Sequence, residues 1–472
     1  MNDFDYDFVD EMDDMSPVYE DLYVPSTHLW YEEDDGTDSV RVTELLELCI
    51  EPTLRDGLNH IGKLLLWCFL FRASTQWVKV PALVCHSVSA GTGLVILHHF
   101  FHSTMYYIIG FATGAYFLLF LVSCFLKRHR GPIMGVVSVG FLIICELLFV
   151  SRTEWHKIRG AQMLVAMKVI SVAFDADFGA LQSLPSPAEY IGYVLCVGTC
   201  VFGPWVPYRD YLAIYNKPLW NAKWLWKIAV SVLMALFFLT VSTCWTHWFI
   251  PDDAWRWWTA YRDALSFRSS HYFVSFLSEA SAILCGFGQR TDPLFSLPVA
   301  RPQFIEVPRS LVQVVVYWNI PMHNWLKNYV FRTTKPLGSF AAILSTYAVS
   351  SLLHGLNFQL AAVLLSLGAY TYAEYVLRQK LATVFGACIL VRPCRKDCAH
   401  RYKEKRLSVI LINIGFGAIA AFHLSYLGVM FDMSDKLQDE GYNYSHTLAK
   451  WSVLNYASHW FALGTYIFYL LI

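Results

Sequence analysis

The sequence has few charged residues, and long stretches of it have none. Asp, Glu, Lys and Arg make up 15% of the 472 residues, well below the roughly 25% found in soluble domains. Residues 337–373 contain no Asp, Glu, Lys or Arg at all. Because 56% of the chain is hydrophobic, there are too few charged side chains to cover a water-facing surface. A soluble globular fold is therefore excluded.

Apolar stretches of about 20 residues, the length that a spanning helix requires, recur along the chain. Four of them lack charged residues: 103–126, 228–245, 407–431 and 451–472. Further candidates are 78–97, 133–150, 190–205, 272–288 and 311–331, and the run 337–373 could supply two spans or one span and a re-entrant piece. An open sheet would leave its edges unpaired in lipid. The sequence therefore predicts an all-α, multi-pass helical bundle with roughly ten to twelve membrane segments.

The chain has no Lys or Arg before Arg41. Fourteen Asp and Glu precede that position, so the rest of the chain carries 36 basic residues against 37 − 14 = 23 acidic ones. We expect residues 1–45 to be an acidic, disordered tail and residues 46–472 to form one transmembrane domain. The start of the chain also lacks the basic region and apolar core of a cleavable signal peptide, so we expect insertion to depend on the spanning helices.

Short basic loops predict the orientation of the bundle, because they face the cytosol. Residues 392–406 hold seven Lys or Arg against two acids, and residues 127–130 form a second basic group. After residue 431 the chain is acidic and leads to a glycosylation sequon at Asn443, which is usable only on the lumenal side. The two assignments agree across the segment 407–431.

The twelve cysteines are not expected to form a disulfide framework, because most lie in apolar segments, where Cys behaves as a small hydrophobe. Four residues stand apart in the basic loop: Cys388, Cys394, Cys398 and His400. Their spacing could bind zinc, but it is not a standard finger pattern. S-acylated thiols and unmodified cysteines are the alternatives. We expect no bound metal.

A titratable imidazole, that of His354, lies in the middle of the uncharged run. An imidazole at membrane depth is costly and so indicates function. Asn319 comes 35 residues earlier, just before Pro321, which disfavours helix at Ile320 and predicts a break there. A neutral His can act as a general base, and an Asn amide can position or polarise an acyl carbonyl. The alternative is that each merely bridges two helices.

Glu146 is a lone carboxylate in the apolar segment 133–150. A charge at membrane depth needs a partner. We therefore expect Glu146 to pair with a basic residue such as Lys168 or Arg159, and to take no part in chemistry.

The stretch from Tyr317 to Pro321, followed by Leu-Leu-His-Gly at residues 352–355, resembles the signature of the membrane-bound O-acyltransferase (MBOAT) superfamily. The resemblance is closer to the branch that acylates Wnt proteins, and it runs from about residue 47 to residue 472. The further motifs that carry it lie at residues 155–163, 185–190, 202–205, 272–280, 307–310 and 328–331.

The resemblance implies an endoplasmic reticulum membrane enzyme with an internal reaction channel. Such an enzyme transfers a palmitoleoyl group from palmitoleoyl-CoA to a serine of Wnt proteins, which Wnt secretion and signalling require. By position, His354 would be the general base and Asn319 would position the thioester. The resemblance implies no tightly bound cofactor and no nucleic-acid partner. Weaker candidates for substrate contact are Tyr317, Trp318, Arg309 and Ser310.

Two other functions stay open. An MBOAT enzyme that acylates a lipid or another secreted protein would share the same Asn and His. A multi-pass transporter also places polar residues at broken helices. Transporters of that kind are expected to show internal repeats, and the sequence has no second Trp-Asn-x-Pro or His-Gly element.

Overall fold

The computed structural model describes residues 42–76, 80–216, 222–288, 297–395, 397–431 and 444–472. Within these residues the chain is helical, with no β-strand and a single isolated bridge between Ala387 and Tyr402, as the predicted all-α fold requires. Most of the acidic tail and the sequon residue Asn443 lie outside the described residues.

The longer helices, numbered in chain order, are α1 (Glu51–Gln76), α2 (Ala82–Phe101), α3 (Met105–Phe125), α4 (Arg130–Ile144), α5 (Arg152–Asp177), α6 (Pro187–Val194), α7 (Tyr208–Ala213), α8 (Ala222–Thr240), α9 (Arg256–Leu284), α10 (Leu311–Trp318), α11 (Ile320–Trp325), α12 (Ser339–Leu353), α13 (Phe358–Phe385), α14 (Leu407–Gly428), α15 (Tyr444–Val453) and α16 (Ala457–Leu471). Shorter helical segments are Val42–Leu45, Leu46–Ile50, His102–Thr104, Cys145–Phe149, Ile214–Asn216, Val241–Trp245, Thr246–Phe249, Gln303–Glu306, Leu326–Phe331, Arg332–Thr334 and Lys335–Leu337.

Several helices match the predicted membrane segments. The uncharged run 337–373 divides between α12 and α13, which pack against each other. The finer count of roughly ten to twelve segments stays a prediction. Among the described residues, five helical stretches are long and apolar enough to cross a membrane: Ala82–Phe125, Arg130–Phe149, Ala222–Phe249, Phe358–Phe385 and Leu407–Gly428.

Residues 190–205 do not form the continuous spanning helix that the sequence predicts. Helix α6 ends at Val194, and the chain then turns through the buried interior up to residue 206. Glycines and a proline interrupt the segment. Lys168 Nζ donates to the freed carbonyl oxygens of Tyr193 (3.1 Å) and Val194 (3.0 Å). Irregular backbone is tolerated at membrane depth only where protein encloses and satisfies it in this way.

The last predicted span, residues 451–472, is also interrupted. Helix α15 ends at Val453 and α16 begins at Ala457. Asn455 and Tyr456 between them have φ angles of 54° and 50°, in the left-handed region where an L-residue does not continue a helix. The 15 residues of α16 give a helix of about 22 Å, shorter than the hydrocarbon core of a bilayer.

A disulfide joins Cys49 and Cys244, which lie 195 residues apart in sequence. The other ten cysteines are free thiols. The sequence does not predict this pair, because only the packing of α1 against α8 brings Cys49, just before α1, close to Cys244, just after α8. Disulfides persist in oxidising compartments, so this pair predicts that its end of the bundle faces one.

The described residues of the basic loop 392–406 lie at the opposite end of the bundle. Ser266 donates to the carbonyl of Ser242 (2.8 Å), which puts the first half of α9 level with the disulfide. Gly428, at the end of α14, packs against Ala264 of the same part of α9. The 22 residues of α14 span about 33 Å, so its start, next to the basic loop, is far from the disulfide. This arrangement agrees with a cytosolic basic loop and a lumenal disulfide.

We expect Cys244→Ser to destabilise the protein by about 2–5 kcal/mol, because the disulfide closes a long loop. Thermal unfolding of the detergent-solubilised protein measures this as a lower midpoint. Cys124→Ser, which removes an exposed free thiol, should leave the midpoint unchanged. A peptide map under non-reducing conditions without a linked Cys49–Cys244 peptide would contradict the assignment.

Candidate active site

Asn319 lies at the break between α10 and α11, which the position of Pro321 predicts. Its φ of −146° and ψ of 91° are extended, and it caps the start of α11 by accepting a hydrogen bond at Oδ1 from the Met322 N–H (3.0 Å). A backbone N–H can only donate, so this bond identifies the oxygen of the carboxamide. The side-chain NH₂ is then the end that can donate to another group.

A helical hairpin brings His354 back toward Asn319. Helical segments run without a gap through the 18 residues from Ile320 to Leu337, a length of about 27 Å. The chain reverses at Gly338 (φ 104°) and returns through the 15 residues of α12, about 22 Å. Helix α12 packs against the first arm of the hairpin. The 35-residue spacing therefore places both residues at the same end of the hairpin.

His354 ends α12 and begins a tight turn into α13. The next residue, Gly355, has a φ of 92°, which favours glycine. The Leu356 N–H donates to Glu146 Oε2 (2.8 Å), and Asn357 caps the start of α13. A Cβ on Gly355 would lie 2.7 Å from Glu146 Oε2. The carboxylate therefore packs directly on the turn that holds the imidazole.

The predicted pairing of Glu146 with Lys168 is wrong. The Lys168 ammonium is buried elsewhere and donates to Thr199 Oγ1 (2.9 Å) as well as to the two carbonyls at the end of α6. Glu146 accepts from the backbone amide of Leu356, two residues after His354. Its pairing with Arg159 stays a prediction. A broken helix leaves such amides without an internal partner, and a side chain from another helix can supply one.

His271 connects the two halves of the site and was not predicted there. Its ring stacks on Trp318, with centroids 4.4 Å apart and planes 8° apart. Its Nε2 donates to the Trp318 carbonyl oxygen (2.9 Å), one residue before Asn319. His271 is also within electrostatic range of the His354 imidazole. The signal in the sequence was a histidine directly before the candidate membrane segment 272–288. Ser275 Oγ also lies 3.4 Å from its Nε2.

The weaker substrate candidates separate into two groups. Tyr317 and Trp318 lie beside Asn319, and the Tyr317 ring packs on Phe304 at 4.5 Å between centroids. Arg309 and Ser310 hold the cysteine-containing loop: Arg309 Nη2 donates to the Cys388 carbonyl (2.9 Å), and Ser310 Oγ donates to the Val391 carbonyl (2.9 Å). Substrate contact by these four residues stays a prediction.

The loop between α13 and α14 could hold a metal. Its four candidate ligands, Cys388, Cys394, Cys398 and His400, converge so that their ligand atoms lie within 4.8 Å of one another. Burial opposes ionisation of Cys398, but hydrogen bonds with Cys388, His400 and Lys403 outweigh it and lower the pKa of this thiol to about 7. Burial raises the pKa of the neighbouring Cys388 and Cys394 thiols, so the three cysteines of the cluster are not shifted alike.

The chain is similar to known proteins over most of its length. The family model described as MBOAT, membrane-bound O-acyltransferase family, matches residues 95–384, which include Asn319 and His354. The protein-serine O-palmitoleoyltransferase porcupine of Mus musculus is 44% identical over 91% of this chain and 97% of its own length. The Anopheles gambiae protein of the same name is 35% identical over 91% of this chain and 94% of its own length. Lysophospholipid acyltransferase 2 of Arabidopsis thaliana is 26% identical over 62% of this chain and 73% of its own length.

We expect Glu146→Leu to loosen the turn at His354. Loss of a charged acceptor for the Leu356 N–H costs about 1.5–3 kcal/mol, so hydrogen exchange of that amide should accelerate about tenfold or more. Glu146→Gln keeps an acceptor oxygen and should exchange nearly as slowly as the wild type. Glu51→Leu, which removes an exposed carboxylate paired with Arg55, is the control. Equal exchange in Glu146→Leu and wild type would show that the contact does not hold the turn.

Proposed function

The chain belongs to the membrane-bound O-acyltransferase family and is therefore an acyltransferase, and we propose that it transfers palmitoleoyl from palmitoleoyl-CoA to a serine of Wnt proteins. Two observations support this reaction. The porcupine proteins that it resembles over nearly their full length are named protein-serine O-palmitoleoyltransferases. The observation that carries the chemistry is the hairpin that brings Asn319 and His354 to one end.

In the proposed mechanism, His354 is the general base. It accepts the proton of the serine hydroxyl as the serine Oγ attacks the carbonyl carbon of the thioester. The carbon–sulfur bond then breaks, the oxygen ester forms, and the thiolate of coenzyme A takes the proton from the imidazolium. The charges and atoms balance without an acyl-enzyme intermediate. The turn at Gly355, braced by Glu146, supports this role because it limits the movement of the imidazole.

Asn319 acts through its NH₂ group. The carboxamide oxygen accepts from the Met322 N–H and holds the side chain in one orientation. The NH₂ donates to the carbonyl oxygen of the thioester, on which negative charge develops during attack. A preorganised donor of this kind contributes about 2.7–4 kcal/mol to stabilising the transition state. Asn319 therefore both positions and polarises the acyl group.

Donor and acceptor approach from opposite faces of the membrane. We propose that the enzyme lies in the endoplasmic reticulum membrane, with palmitoleoyl-CoA entering from the cytosolic side and the Wnt segment from the lumen. The disulfide Cys49–Cys244 supports an oxidising compartment at one end of the bundle. The basic loop at the other end supports a cytosolic face. Palmitoleoyl-CoA is a substrate, and we propose no tightly bound cofactor for the reaction.

Lipid acylation is the second candidate, and the similarity to a plant lysophospholipid acyltransferase favours testing it. The shared Asn and His serve acyl transfer to either kind of acceptor. Competing acceptors in one assay separate the two functions. We expect transfer to a peptide serine and not to lysophospholipid.

We expect His354→Ala to lower kcat for transfer by at least about 100-fold, since a general base contributes about 10² to 10⁴. The assay uses the full-length purified protein, palmitoleoyl-CoA and a disulfide-bonded Wnt hairpin peptide with its acceptor serine. His423→Asn is the control, because His423 is an intramembrane histidine bonded to Ser458 outside the matched family region. Transfer that survives in His354→Ala refutes the base assignment. Wild-type transfer to lysophospholipid but not to the peptide would favour lipid acylation.

We expect Asn319→Asp to fold like the wild type and to react about 100 to 1,000 times more slowly. An aspartate oxygen can still cap α11, but it cannot donate to the acyl carbonyl oxygen, and its charge repels the developing oxyanion. The thermal midpoint and kcat measure the two effects separately. A normal kcat in Asn319→Asp would rule out the donor role.

A further inference from the structure

We propose that Cys388, Cys394, Cys398 and His400 bind one zinc ion at the end of the bundle opposite the disulfide. The four residues lie in the loop that joins α13 to α14. They follow one another as Cys-x5-Cys-x3-Cys-x-His within 13 residues of sequence. Three thiolates and one imidazole form a ligand set that is common in structural zinc sites.

The distances between the ligand atoms fit a tetrahedral site. Cys388 Sγ lies 3.5 Å from Cys398 Sγ and 3.7 Å from His400 Nδ1, and Cys394 Sγ lies 3.5 Å from the same nitrogen. A zinc ion with zinc–sulfur bonds of about 2.3 Å requires ligand atoms roughly 3.5 to 3.8 Å apart. All four atoms lie within 4.8 Å of one another. The side chains therefore surround a space of the right size for one ion.

The backbone of the loop is folded to present these four groups together. Ala387 and Tyr402 form a bridge, in which the Cys388 N–H donates to the Tyr402 carbonyl (2.9 Å). The bridge brings Cys388, the first of the four ligands in sequence, close to His400, the last. The Cys398 N–H donates to the Arg395 carbonyl (3.1 Å), closing a tight turn around the middle ligands.

Groups around the cluster offset the charge of three thiolates. Lys403 Nζ donates to Cys398 Sγ (3.4 Å) and also bonds the carbonyl of that residue. The Cys394 N–H donates to Glu404 Oε1 (3.1 Å), which fixes the second cysteine. Outer contacts that orient ligands and balance charge are typical of metal sites. Zinc with three thiolates has a net charge of −1, which suits a loop rich in Lys and Arg.

The alternatives of S-acylation and ordinary free cysteines explain less. Cys388 is only 1% exposed, so an acylating enzyme cannot reach it, yet its thiol points at two other candidate ligands. The loop lies opposite the disulfide, on the face predicted to be cytosolic, where thiols stay reduced and available to a metal. A shared ion would explain why three thiols and an imidazole converge.

The ion would stabilise the part of the chain that leads to Asn319. Arg309 donates to the carbonyls of Cys388 (2.9 Å) and Leu390 (3.1 Å), and Ser310 donates to that of Val391 (2.9 Å). Helix α10 starts directly after Ser310 and ends next to Asn319. A zinc ion that fixes the loop thus fixes the start of the helix on which the asparagine depends. This structural role does not require the proposed acyl transfer.

Metal analysis of the full-length protein tests the site. After purification without chelators, elemental analysis should find close to one zinc per chain in the wild type. His400→Cys should retain it, because four cysteines also form a standard zinc site. His400→Ala and Cys394→Ser should lose most of it, while Cys124→Ser, which changes a free cysteine on another helix, should keep it. Zinc content in His400→Ala equal to the wild type would overturn the proposal.

Thiol labelling of the wild type provides a test that does not depend on the folding of a variant. Zinc should protect Cys394 and Cys398 from maleimide, and a strong zinc chelator should expose both while labelling of Cys124 stays the same. X-ray absorption at the zinc edge should show three sulfur neighbours and one nitrogen neighbour. Labelling unaffected by the chelator, a different resident metal, or a thioester-linked acyl chain on these cysteines would contradict the zinc site.

Discussion

Backbone groups that are freed where a helix breaks must find partners inside the bundle, because lipid supplies none and each unmet group costs several kcal/mol. Three breaks show how this chain meets the requirement. The Asn319 side chain accepts from the Met322 N–H. Glu146 accepts from the Leu356 N–H. Lys168 donates to the carbonyls at the end of α6. In each case a polar side chain satisfies the backbone.

The same requirement determines where chemistry can occur. In a continuous helix the backbone N–H and C=O groups bond to one another. A break in the helix allows a polar side chain to point into a cavity. Asn319 and His354 lie at two such breaks, joined by a hairpin of two helical arms. His271 stacks on Trp318 and bonds its carbonyl oxygen, next to Asn319. The groups proposed to react are thus held by contacts that the membrane environment makes necessary.

Part of this organisation could be predicted from the sequence. Composition and the apolar segments predicted an all-α membrane protein, and Pro321 predicted the break at Asn319. The breaks at residues 195–206 and 455–456 could not be predicted, because their backbone depends on contacts with other helices. The same holds for the disulfide Cys49–Cys244. Hydrophobic patterning reports which residues avoid water, but it does not report which helices meet.

The candidate active site, like the fold, was predicted from the sequence only in part. His354 was found because an imidazole is rare in an uncharged run, and Asn319 because it precedes a proline. Glu146 does not pair with Lys168, and it accepts from the Leu356 N–H, a contact that no residue type in the sequence marks. His271 was missed because its role depends on stacking against a residue 47 positions away.

The central claim is that Asn319 and His354 act on the same acyl group. A double-mutant cycle with Asn319→Asp, His354→Ala and the double variant, using kcat for peptide acylation, tests it most directly. Residues that act as a unit are strongly non-additive, so the double variant should be about as slow as His354→Ala alone. A double variant whose loss equals the product of the two single losses would show that the residues act independently and would contradict the account.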